Sequence, residues 1–458
     1  MSNRTVTMED TISKLFAEKK FSVLKDVLAT INGADIAAVF NGLEPESLPL
    51  LFRLLSKDKA SECFVEMEPD VQEKLIKGLS DTELREIVND LFVDDAVDIV
   101  EEMPADVVKR ILAQADPQMR KEINEVLKYP ENSAGSLMTT EFVALKPEMT
   151  VRQALDVICR TGVDKETIYT CYVVDQSGKL AGHVSVKDMI LALNDDLQMR
   201  SIMNPNVISV NVHDDQEKVA EDFKKYNFLA MPVVDDENRL VGIITVDDVM
   251  DVMEDEATED MQIMAAMTPS DKTYLRSKPT ELFVHRIPWL LLLMVSATFT
   301  GLIITKFEDA LAVQVVLTAF IPMLMDTGGN SGSQSSVTVI RAISLGEVDW
   351  KDLPAVVWKE GRTAILCGLV LALACFAKLM VLDRLVLGNE DVTLPVALVV
   401  CSAMLVTVIV AKVIGCTLPL VAKKLKFDPA VMASPFITTI VDAVSLLVYF
   451  GIAKSVLF

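Results

Sequence analysis

The stretch PAVMASPFITTIVDAVSLLVYFGIA, residues 429–453, is an apolar segment that carries a single charged side chain, Asp442. A membrane helix needs roughly 20 apolar residues, so this segment is long enough to cross a bilayer. A carboxylate at bilayer depth costs about 2.5–3.5 kcal/mol on insertion scales, and residues kept there are usually functional. The segment therefore predicts a membrane helix with a functional acidic group.

Further polar side chains accompany the aspartate along one face of the predicted helix. Their spacings of four, four, three and four residues fit a 3.6-residue turn. The residues are Ser434, Thr438, Asp442, Ser445 and Tyr449. We expect this stripe to face water, an ion or a partner helix rather than lipid.

The charge of the chain is distributed unevenly. The 458 residues include 43 Lys plus Arg and 66 Asp plus Glu, but from Val284 onward the counts are 13 and 12. Residues 1–283 therefore form a strongly acidic soluble region, which would repel nucleic acid and attract cations. Residues 284–458 contain five apolar stretches of spanning length. We predict spans at 287–305, 311–340, 354–382, 392–421 and 429–458.

The distribution of basic residues predicts the orientation. Arg286, Arg341, Lys351 and the cluster Lys423–Lys426 fall on the side shared with the soluble region, and fewer basic residues fall opposite. The positive-inside rule then places the acidic domains in the cytoplasm. The first residues contain no apolar core of a signal peptide. Seven cysteines without a CxxC pair argue against a disulfide framework or a zinc site.

Residues 1–130 are predicted to form an all-α, superhelical domain. KDKASECFVEMEPD (57–70) realigns with VDDAVDIVEEMPAD (93–106) at an offset of 36 residues, a period that favours stacked helical hairpins. Asp94 and Asp98 lie one helical turn apart, a spacing at which carboxylates repel unless a cation lies among them. The alternative is the solvated acidic face of an interaction scaffold.

Residues 131–260 contain a second duplication with α/β character. YVVDQSGKLAGHVSVKD (172–188) matches PVVDDENRLVGIITVDD (232–248) at an offset of 60, and LMTTEFVAL matches IMNPNVISV ahead of them at 65. Each copy predicts strand, turn, strand and amphipathic helix. This pattern resembles a tandem pair of CBS motifs, because both copies keep G-h-h-[ST]-x-x-D.

The CBS resemblance implies a cleft that binds an adenine nucleotide such as ATP. In that family the hydroxyl and carboxylate of each final motif face the ribose or phosphates, and aromatic side chains contact the adenine. The alternative is an empty, purely structural cleft. The residues expected in the cleft are Tyr169, Ser185, Asp188, Phe228, Thr245 and Asp248.

The end of the duplicated module is exceptionally acidic. Asp248, Asp251 and Asp255 lie three and four residues apart, which forms a carboxylate ridge on a helix. Hard divalent cations prefer such oxygen ligands, so a cation bridging this ridge and the acidic N-terminal helices is expected. Residues 261–283 then predict an amphipathic connecting helix at the membrane surface or pore mouth, with a passive linker as the alternative.

The second predicted span contains PMLMDTGGNSGSQSS, residues 322–336. Asp326, Asn330 and Gln334 are four residues apart and form a second polar face. Gly328 and Gly332 form a GxxxG pair that allows close backbone approach. The alternative is that this segment only joins helices together.

The complete layout resembles the MgtE family of bacterial magnesium channels. The most specific stretches are TGGNSGSQ (327–334), RIPWL (286–290) and DPAVMASPFITTIVDAVSLL (428–447). The resemblance implies a homodimer with five spans per subunit and a pore on the dimer axis, in the cell membrane, with cytoplasmic N-terminal domains. It makes Asp442 the principal selectivity residue. The expected pore residues are Asp442, Thr438, Ser434, Gly329, Asn330 and Asp326.

The resemblance also implies a cytosolic Mg²⁺ sensor that closes the pore through the connector. Ser434 stands where some members have asparagine, and Asp326 stands where some have a small residue. The expected sensor ligands are Asp94, Asp98, Asp215, Glu217, Asp248, Asp251, Glu256, Glu259 and Asp260.

Two other functions stay open at this point. One is a CBS-gated transporter of another divalent cation, an osmolyte or an anion, although a carboxylate in the pore disfavours anions. The other is a membrane-anchored, nucleotide-sensing scaffold whose spans only dimerise. An enzyme is not expected, because no nucleophile stands with a base and no metal-ligand set is closed.

Overall fold

The structure is a computed structural model that describes residues 3–43, 46–270, 274 and 277–457. Its contacts divide the chain into two compact units, Met1–Met253 and Glu254–Phe458. The first unit contains the helical domain and the duplicated α/β module, and the second contains the apolar helices.

The amino-terminal part of the first unit is all-α, as predicted. Its ten helices in the described residues are α1 (Asn3–Ala17), α2 (Phe21–Ala29), α3 (Gly33–Phe40), α4 (Leu48–Phe52), α5 (Lys57–Val65), α6 (Pro69–Gly78), α7 (Asp81–Val88), α8 (Val93–Glu102), α9 (Ala105–Gln114) and α10 (Pro117–Val126).

The 36-residue repeat corresponds to three helices rather than to the predicted hairpin. Helices α8, α9 and α10 each begin 36 residues after α5, α6 and α7. Within this stack α7 contacts both α5 and α9, and α8 contacts α10. The apolar face of α8, which includes Val93, Val97 and Val100, is buried, and its acidic residues fall between these positions. The carboxylates of Asp98, Glu101 and Glu102 are exposed, whereas Asp94 is buried beside the apolar face.

The α/β module contains two three-stranded sheets, each with a parallel and an antiparallel pair. The first has β1 (Ala144–Leu145), β2 (Thr170–Val174) and β3 (Leu180–Ser185), and the second has β4 (Val210–Asn211), β5 (Ala230–Val234) and β6 (Leu240–Thr245). The helices are α11 (Val151–Thr161), α12 (Val186–Ile190), α13 (Met199–Ile202), α14 (Gln216–Tyr226) and α15 (Val246–Met264). The predicted strand, strand, helix order is confirmed in both copies.

The segments ahead of the two copies are exchanged between them. The backbone of Thr139 pairs with Ile243 of β6 at 2.8 and 2.9 Å, and Asn204 pairs with His183 of β3 at 2.8 and 3.0 Å. A Cβ on Gly242 would lie 2.6 Å from the sulfur of Met138, and Gly182 meets Met203 in the same way. The glycine of each repeat is therefore required by the methionine of the other copy.

The second unit contains α16 (Pro279–Lys306), α17 (Glu308–Val313), α18 (Ile321–Ser344), α19 (Leu353–Ala377), α20 (Leu394–Lys424) and α21 (Ser434–Leu457). Four helical segments among the described residues are long and apolar enough to cross a membrane. They are Pro279–Lys306, Trp350–Val386, Leu394–Lys424 and Pro429–Leu457. Helix α18 has 24 residues, but its glycine, serine and amide side chains make it more polar than these four.

Two segments differ from the sequence prediction. The span predicted at 311–340 is not one helix, because α17 and a 3-10 turn (Val315–Phe320) precede α18. In the predicted connector 261–283, α15 continues to Met264 and α16 already begins at Pro279. Residues 271–273 and 275–276 of that connector lie outside the described part of the chain.

Candidate functional site

Helix α18 lies against α20 and α21 at very short range, and its glycines make this contact possible. A Cβ on Gly329 would lie 2.9 Å from Cγ2 of Thr438 on α21. A Cβ on Gly328 would lie 2.7 Å from Cγ2 of Thr407 and 2.8 Å from Oγ of Ser445. The TGGN sequence is therefore the surface on which α18 and α21 meet.

The predicted polar face of α18 is exposed within the single chain. Asp326, Asn330 and Gln334 are all on the surface, and Nδ2 of Asn330 donates a hydrogen bond to Oδ1 of Asp326 at 3.1 Å. On α21, Thr438 and Asp442 are half-buried, and the charge of Asp326 acts on that of Asp442. The structure thus brings together the acidic, amide and hydroxyl groups predicted to line a pore.

The polar stripe predicted on α21 is divided between two environments. Ser445 and Tyr449 are buried inside the chain, not on a free face. The Ser445 hydroxyl donates to the carbonyl of Val441 at 2.6 Å, and the Tyr449 hydroxyl donates to the carbonyl of Leu317 at 3.0 Å. Among the stripe residues whose side chains the structure describes, Thr438 and Asp442 are the ones that are not fully buried. The Ser434 side chain lies outside the described part of the structure.

One charged group in the apolar helices was missed by the sequence analysis. Lys412 lies within α20 and is buried beside Ser335 of α18 and Glu360 of α19. Like Asp442, this lysine is a charged residue inside an apolar span, and such residues are rare and usually functional. The last serine of the glycine-rich stretch, Ser336, donates to the carbonyl of Met432 ahead of α21 at 2.6 Å.

An acidic cluster forms where α8 meets the α/β module in the first unit. Burial raises the pKa of the Asp94 carboxyl well above its ordinary range, and the negative charge of Asp248 adds to this shift. Burial, followed by the charge of Asp248, raises the pKa of Asp95 to about 7. Burial, followed by Asp95, raises the pKa of Glu166 to about 8. These carboxylates are crowded by like charges, so their close approach requires protons or a cation.

The cluster contains some of the predicted sensor residues but not all of them. Asp98 is exposed one turn beyond Asp94 and interacts electrostatically with Asp248, which also interacts with Asp251. Asp215 caps α14 by accepting a hydrogen bond from the amide of Glu217 at 2.9 Å. No three of the described Asp, Glu, His and Cys side chains converge closely enough to hold a bare metal ion.

A second acidic group occurs in the second unit, at the end of α15. Burial raises the pKa of Asp260 to about 6, and the charges of Asp428, Glu256 and Glu259 act in the same direction, while Arg341 opposes them. Asp428 lies just ahead of α21 and was not among the predicted sensor residues. Its proximity to Asp260 could not be read from the sequence, because the two residues are far apart along the chain.

In both repeats the hydroxyl and the carboxylate of the final motif are hydrogen-bonded to each other. The Ser185 hydroxyl donates to Oδ2 of Asp188 at 2.6 Å, and the Thr245 hydroxyl donates to Oδ2 of Asp248 at 2.6 Å. Asp188 is exposed, whereas Thr245 is buried. Asp248 therefore belongs both to the predicted nucleotide residues and to the acidic cluster.

The two predicted aromatic contacts differ in exposure. The Phe228 ring is half-buried and stacks on Tyr226 with ring centroids 5.5 Å apart. The Tyr169 side chain, directly ahead of β2, is 70% exposed. Both rings are thus accessible to a planar ligand, although Phe228 already has an aromatic neighbour.

Sequence profiles of known families match most of the chain. The MgtE family, described as a divalent cation transporter, matches residues 321–452, and the MgtE intracellular N domain matches 31–132. The CBS domain matches 134–195 and 199–255. A relative called magnesium transporter MgtE, from Thermus thermophilus, is 35% identical over 95% of this chain and 95% of its own length. The chain belongs to the MgtE family.

Other MgtE proteins support the same assignment for each unit. The magnesium transporter MgtE of Bacillus subtilis is 32% identical over 96% of this chain and 95% of its own length. A crystal structure of the cytosolic domain of the Mg²⁺ channel MgtE in complex with ATP covers 53% of this chain and 99% of that domain, at 38% identity and a TM-score of 0.51. The chain is thus an MgtE membrane protein with cytosolic N-terminal domains.

Proposed function

We propose that this protein conducts Mg²⁺ into the cytoplasm through a pore formed by two copies of the chain. The observation that carries the proposal is the exposed polar face of α18 beside the half-buried Asp442 of α21. Such groups are unfavourable in lipid, so they require an aqueous path or a partner. A two-fold axis along this face would supply both, because an isologous contact brings each group opposite its own copy.

The donor set of this pore suits a hydrated divalent cation. Two Asp442 carboxylates on the axis would balance the charge of one divalent ion, and Asn330 and Thr438 would add neutral oxygen ligands. Because Mg²⁺ dehydrates reluctantly, selection through its retained water shell is consistent with polar groups that do not form a tight ligand set. Mg²⁺ would move down its electrochemical gradient, and such passive movement requires no ATPase motif.

Five spans per subunit are part of this proposal. Helix α18 is long enough to cross a bilayer with its 24 residues. Its polar composition is the expected property of a pore-lining helix, since one face contacts water and the other packs on α20 and α21. Together with the four apolar spans this makes five.

The acidic cluster is proposed to sense cytosolic Mg²⁺. Cations between α8 and Asp248 would offset the repulsion among Asp94, Asp95 and Glu166 and hold the helical domain against the α/β module. When cytosolic Mg²⁺ falls, repulsion would separate them and release α15. Asp260 and Asp428 would form a second cation site near the pore entrance. The other proposed ligands are Asp98, Asp215, Glu217, Asp251, Glu256 and Glu259.

Nucleotide binding by the α/β module is proposed as a modulator. The relative whose cytosolic domain contains ATP supports it, as do the Ser185–Asp188 and Thr245–Asp248 pairs. Because Asp248 also belongs to the acidic cluster, a bound nucleotide would change the charge at the Mg²⁺ sensor. This connection would couple the two ligands through one carboxylate.

Cysteine accessibility tests the pore assignment. Thr438→Cys and Leu447→Cys lie on opposite faces of α21, nine residues apart, and Leu447 is exposed away from the proposed axis. Mg²⁺ influx into proteoliposomes is measured before and after a membrane-impermeant cationic thiol reagent. We expect the reagent to abolish influx through Thr438→Cys and to leave Leu447→Cys and the wild type unaffected. Equal responses of the two variants would contradict the assignment.

A further inference from the structure

Lys412 is a buried cation in the middle of an otherwise apolar helix. It lies in α20 (Leu394–Lys424), a candidate membrane span, and only 5% of its surface is exposed. Lysine is among the least favourable residues at this depth, and in membrane proteins such side chains are paired and have a function. The residue is therefore the strongest unexplained feature of the membrane region.

The partners of Lys412 come from two other helices. Its Nζ donates to Oγ of Ser335 on α18 at 3.2 Å, and the Ser335 hydroxyl donates to Oε2 of Glu360 on α19 at 2.6 Å. The Lys412 and Glu360 charges are 3.9 Å apart. The Glu360 side chain is only 15% exposed. One serine of α18 is thus held between a cation of α20 and an anion of α19.

This cluster lies on the side of α18 that faces away from the proposed pore. Ser335 is nine residues from Asp326, which places the two residues half a turn out of phase on a helix. Close to the cluster, a Cβ on Gly332 would lie 3.2 Å from the carbonyl of Ala411 and 2.9 Å from Cγ2 of Ile437. A rotation of α18 would therefore break the hydrogen bonds of Ser335 and move the polar face at the same time.

We propose that Lys412, Ser335 and Glu360 form a positioning cluster that fixes the rotation of α18, and so holds Asp326 and Asn330 toward the conduction path. This inference rests on the proposed function, in which α18 lines the pore. In the low dielectric of the membrane the ion pair and its hydrogen bonds are directional and strong, whereas apolar contacts alone permit sliding. None of the three residues is expected to touch the ion.

The test compares neutralised variants with a matched ion pair elsewhere. Lys412→Met with Glu360→Met removes both charges together, so no unpaired buried charge remains. Lys412→Arg retains the charge and the donors. The control is Lys378→Met with Asp383→Asn, because the two charges of the Lys378–Asp383 pair, at 2.7 Å, belong to one helical segment instead of joining two helices.

Two readouts are taken from full-length protein in proteoliposomes. The first is the rate at which a thiol reagent modifies Asn330→Cys, and the second is Mg²⁺ influx per folded protein. We expect the double neutral variant to slow modification and to lower the maximal influx by about tenfold with little change in apparent Mg²⁺ affinity, the signature of lost positioning. Lys412→Arg and the control pair should behave as the wild type.

A modification rate and an influx in the double neutral variant equal to those of the wild type would overturn the positioning role. Effects of the same size in the control pair would also overturn it, because they would mark a general response to charge removal. The modification rate does not depend on transport, so it decides the role of the cluster even if the chain failed to conduct Mg²⁺. Absent influx in the wild type would instead contradict the proposed function.

Discussion

Two charged residues in the membrane region differ in how their charge is balanced. Lys412 has its counter-charge, Glu360, within the same chain, and Ser335 links the two. Asp442 has another carboxylate, Asp326, as its charged neighbour. In the first arrangement the two charges neutralise each other, which suits a structural role. The second carries surplus negative charge and suits a site through which cations pass.

The close contact between α18 and its neighbours predicts a sharp response at Gly328. A methyl group there would meet Thr407 and Ser445 below 3 Å, so Gly328→Ala should destabilise the protein by about 1–3 kcal/mol, the usual range for overpacking. The measurement is thermal unfolding of the purified protein in detergent. Gly301→Ala in α16 is the control, because its added methyl group meets no atom within 4 Å. Equal stability of the two variants would show that α18 is not closely packed.

At the scale of elements, α7 shows how the helical domain is stabilised locally. Ser80 and Glu83 form a capping box, and Arg53 donates to Oε1 of Glu83 at 2.6 Å. The Arg53 hydrogen bond, followed by the Ser80 amide, lowers the pKa of Glu83 to about 2 from 4.5. The ionised carboxylate is therefore favoured in the folded domain. Because α7 contacts α5 and α9, this cap supports the middle of the helical stack.

The cap predicts a specific pH dependence. A lowered pKa stabilises the fold above about pH 4.5, and this contribution is lost as the pH falls toward 2. Glu83→Gln should therefore lower the free energy of unfolding by about 0.5–2 kcal/mol at neutral pH, and the difference should shrink in acid. Chemical denaturation of the isolated first unit measures this free energy. The isolated unit is a suitable sample because the corresponding domain of a relative was crystallised by itself. The control is Glu86→Gln, because Glu86 is exposed on the same helix. A difference in free energy of unfolding between wild type and Glu83→Gln that does not change with pH would contradict the role of the ionised Glu83.

At the scale of the whole molecule, much of the organisation could be predicted from the sequence. The duplication at an offset of 60 predicted two equivalent strand pairs, and the structure gives Cys171↔Val184 and Met231↔Ile244 the same register. Local repeats reveal local elements because each copy folds by the same pattern. Asp94 and Asp248, both predicted sensor residues, interact electrostatically across the first unit, and their role as cation ligands stays a prediction.

The remaining features depend on contacts that no local pattern encodes. Tyr449 follows the helical period of the polar stripe, but it is buried. Its hydroxyl donates a hydrogen bond to the carbonyl of Leu317, which is far away in the sequence. The partners of Lys412 are Ser335 of α18 and Glu360 of α19, and only the tertiary structure shows that they lie beside it. Helix boundaries near residue 261 also differ from the prediction, because α15 continues the helix of the second repeat before the chain turns.

Removal of Mg²⁺ tests whether the acidic cluster between α8 and the α/β module senses this cation. If cations offset the repulsion between α8 and Asp248, chelation should speed amide hydrogen exchange in α8 and in the first turns of α15. Hydrogen-exchange mass spectrometry of the full chain, with millimolar Mg²⁺ or with chelator, measures the difference. In Asp94→Asn with Asp248→Asn, which has less charge to offset, the difference should become small. Identical exchange with and without Mg²⁺ in the wild type would contradict the sensor.

The most direct test of the whole account is Mg²⁺ influx through the Asp442 variant. Wild type, Asp442→Ala and Asp391→Asn are reconstituted into proteoliposomes at equal amounts of folded protein. Asp391 is an exposed carboxylate between α19 and α20, so its neutralisation controls for a general loss of negative charge. The account predicts that Asp442→Ala abolishes influx, whereas Asp391→Asn conducts as the wild type does. Undiminished influx through Asp442→Ala would contradict the proposed pore.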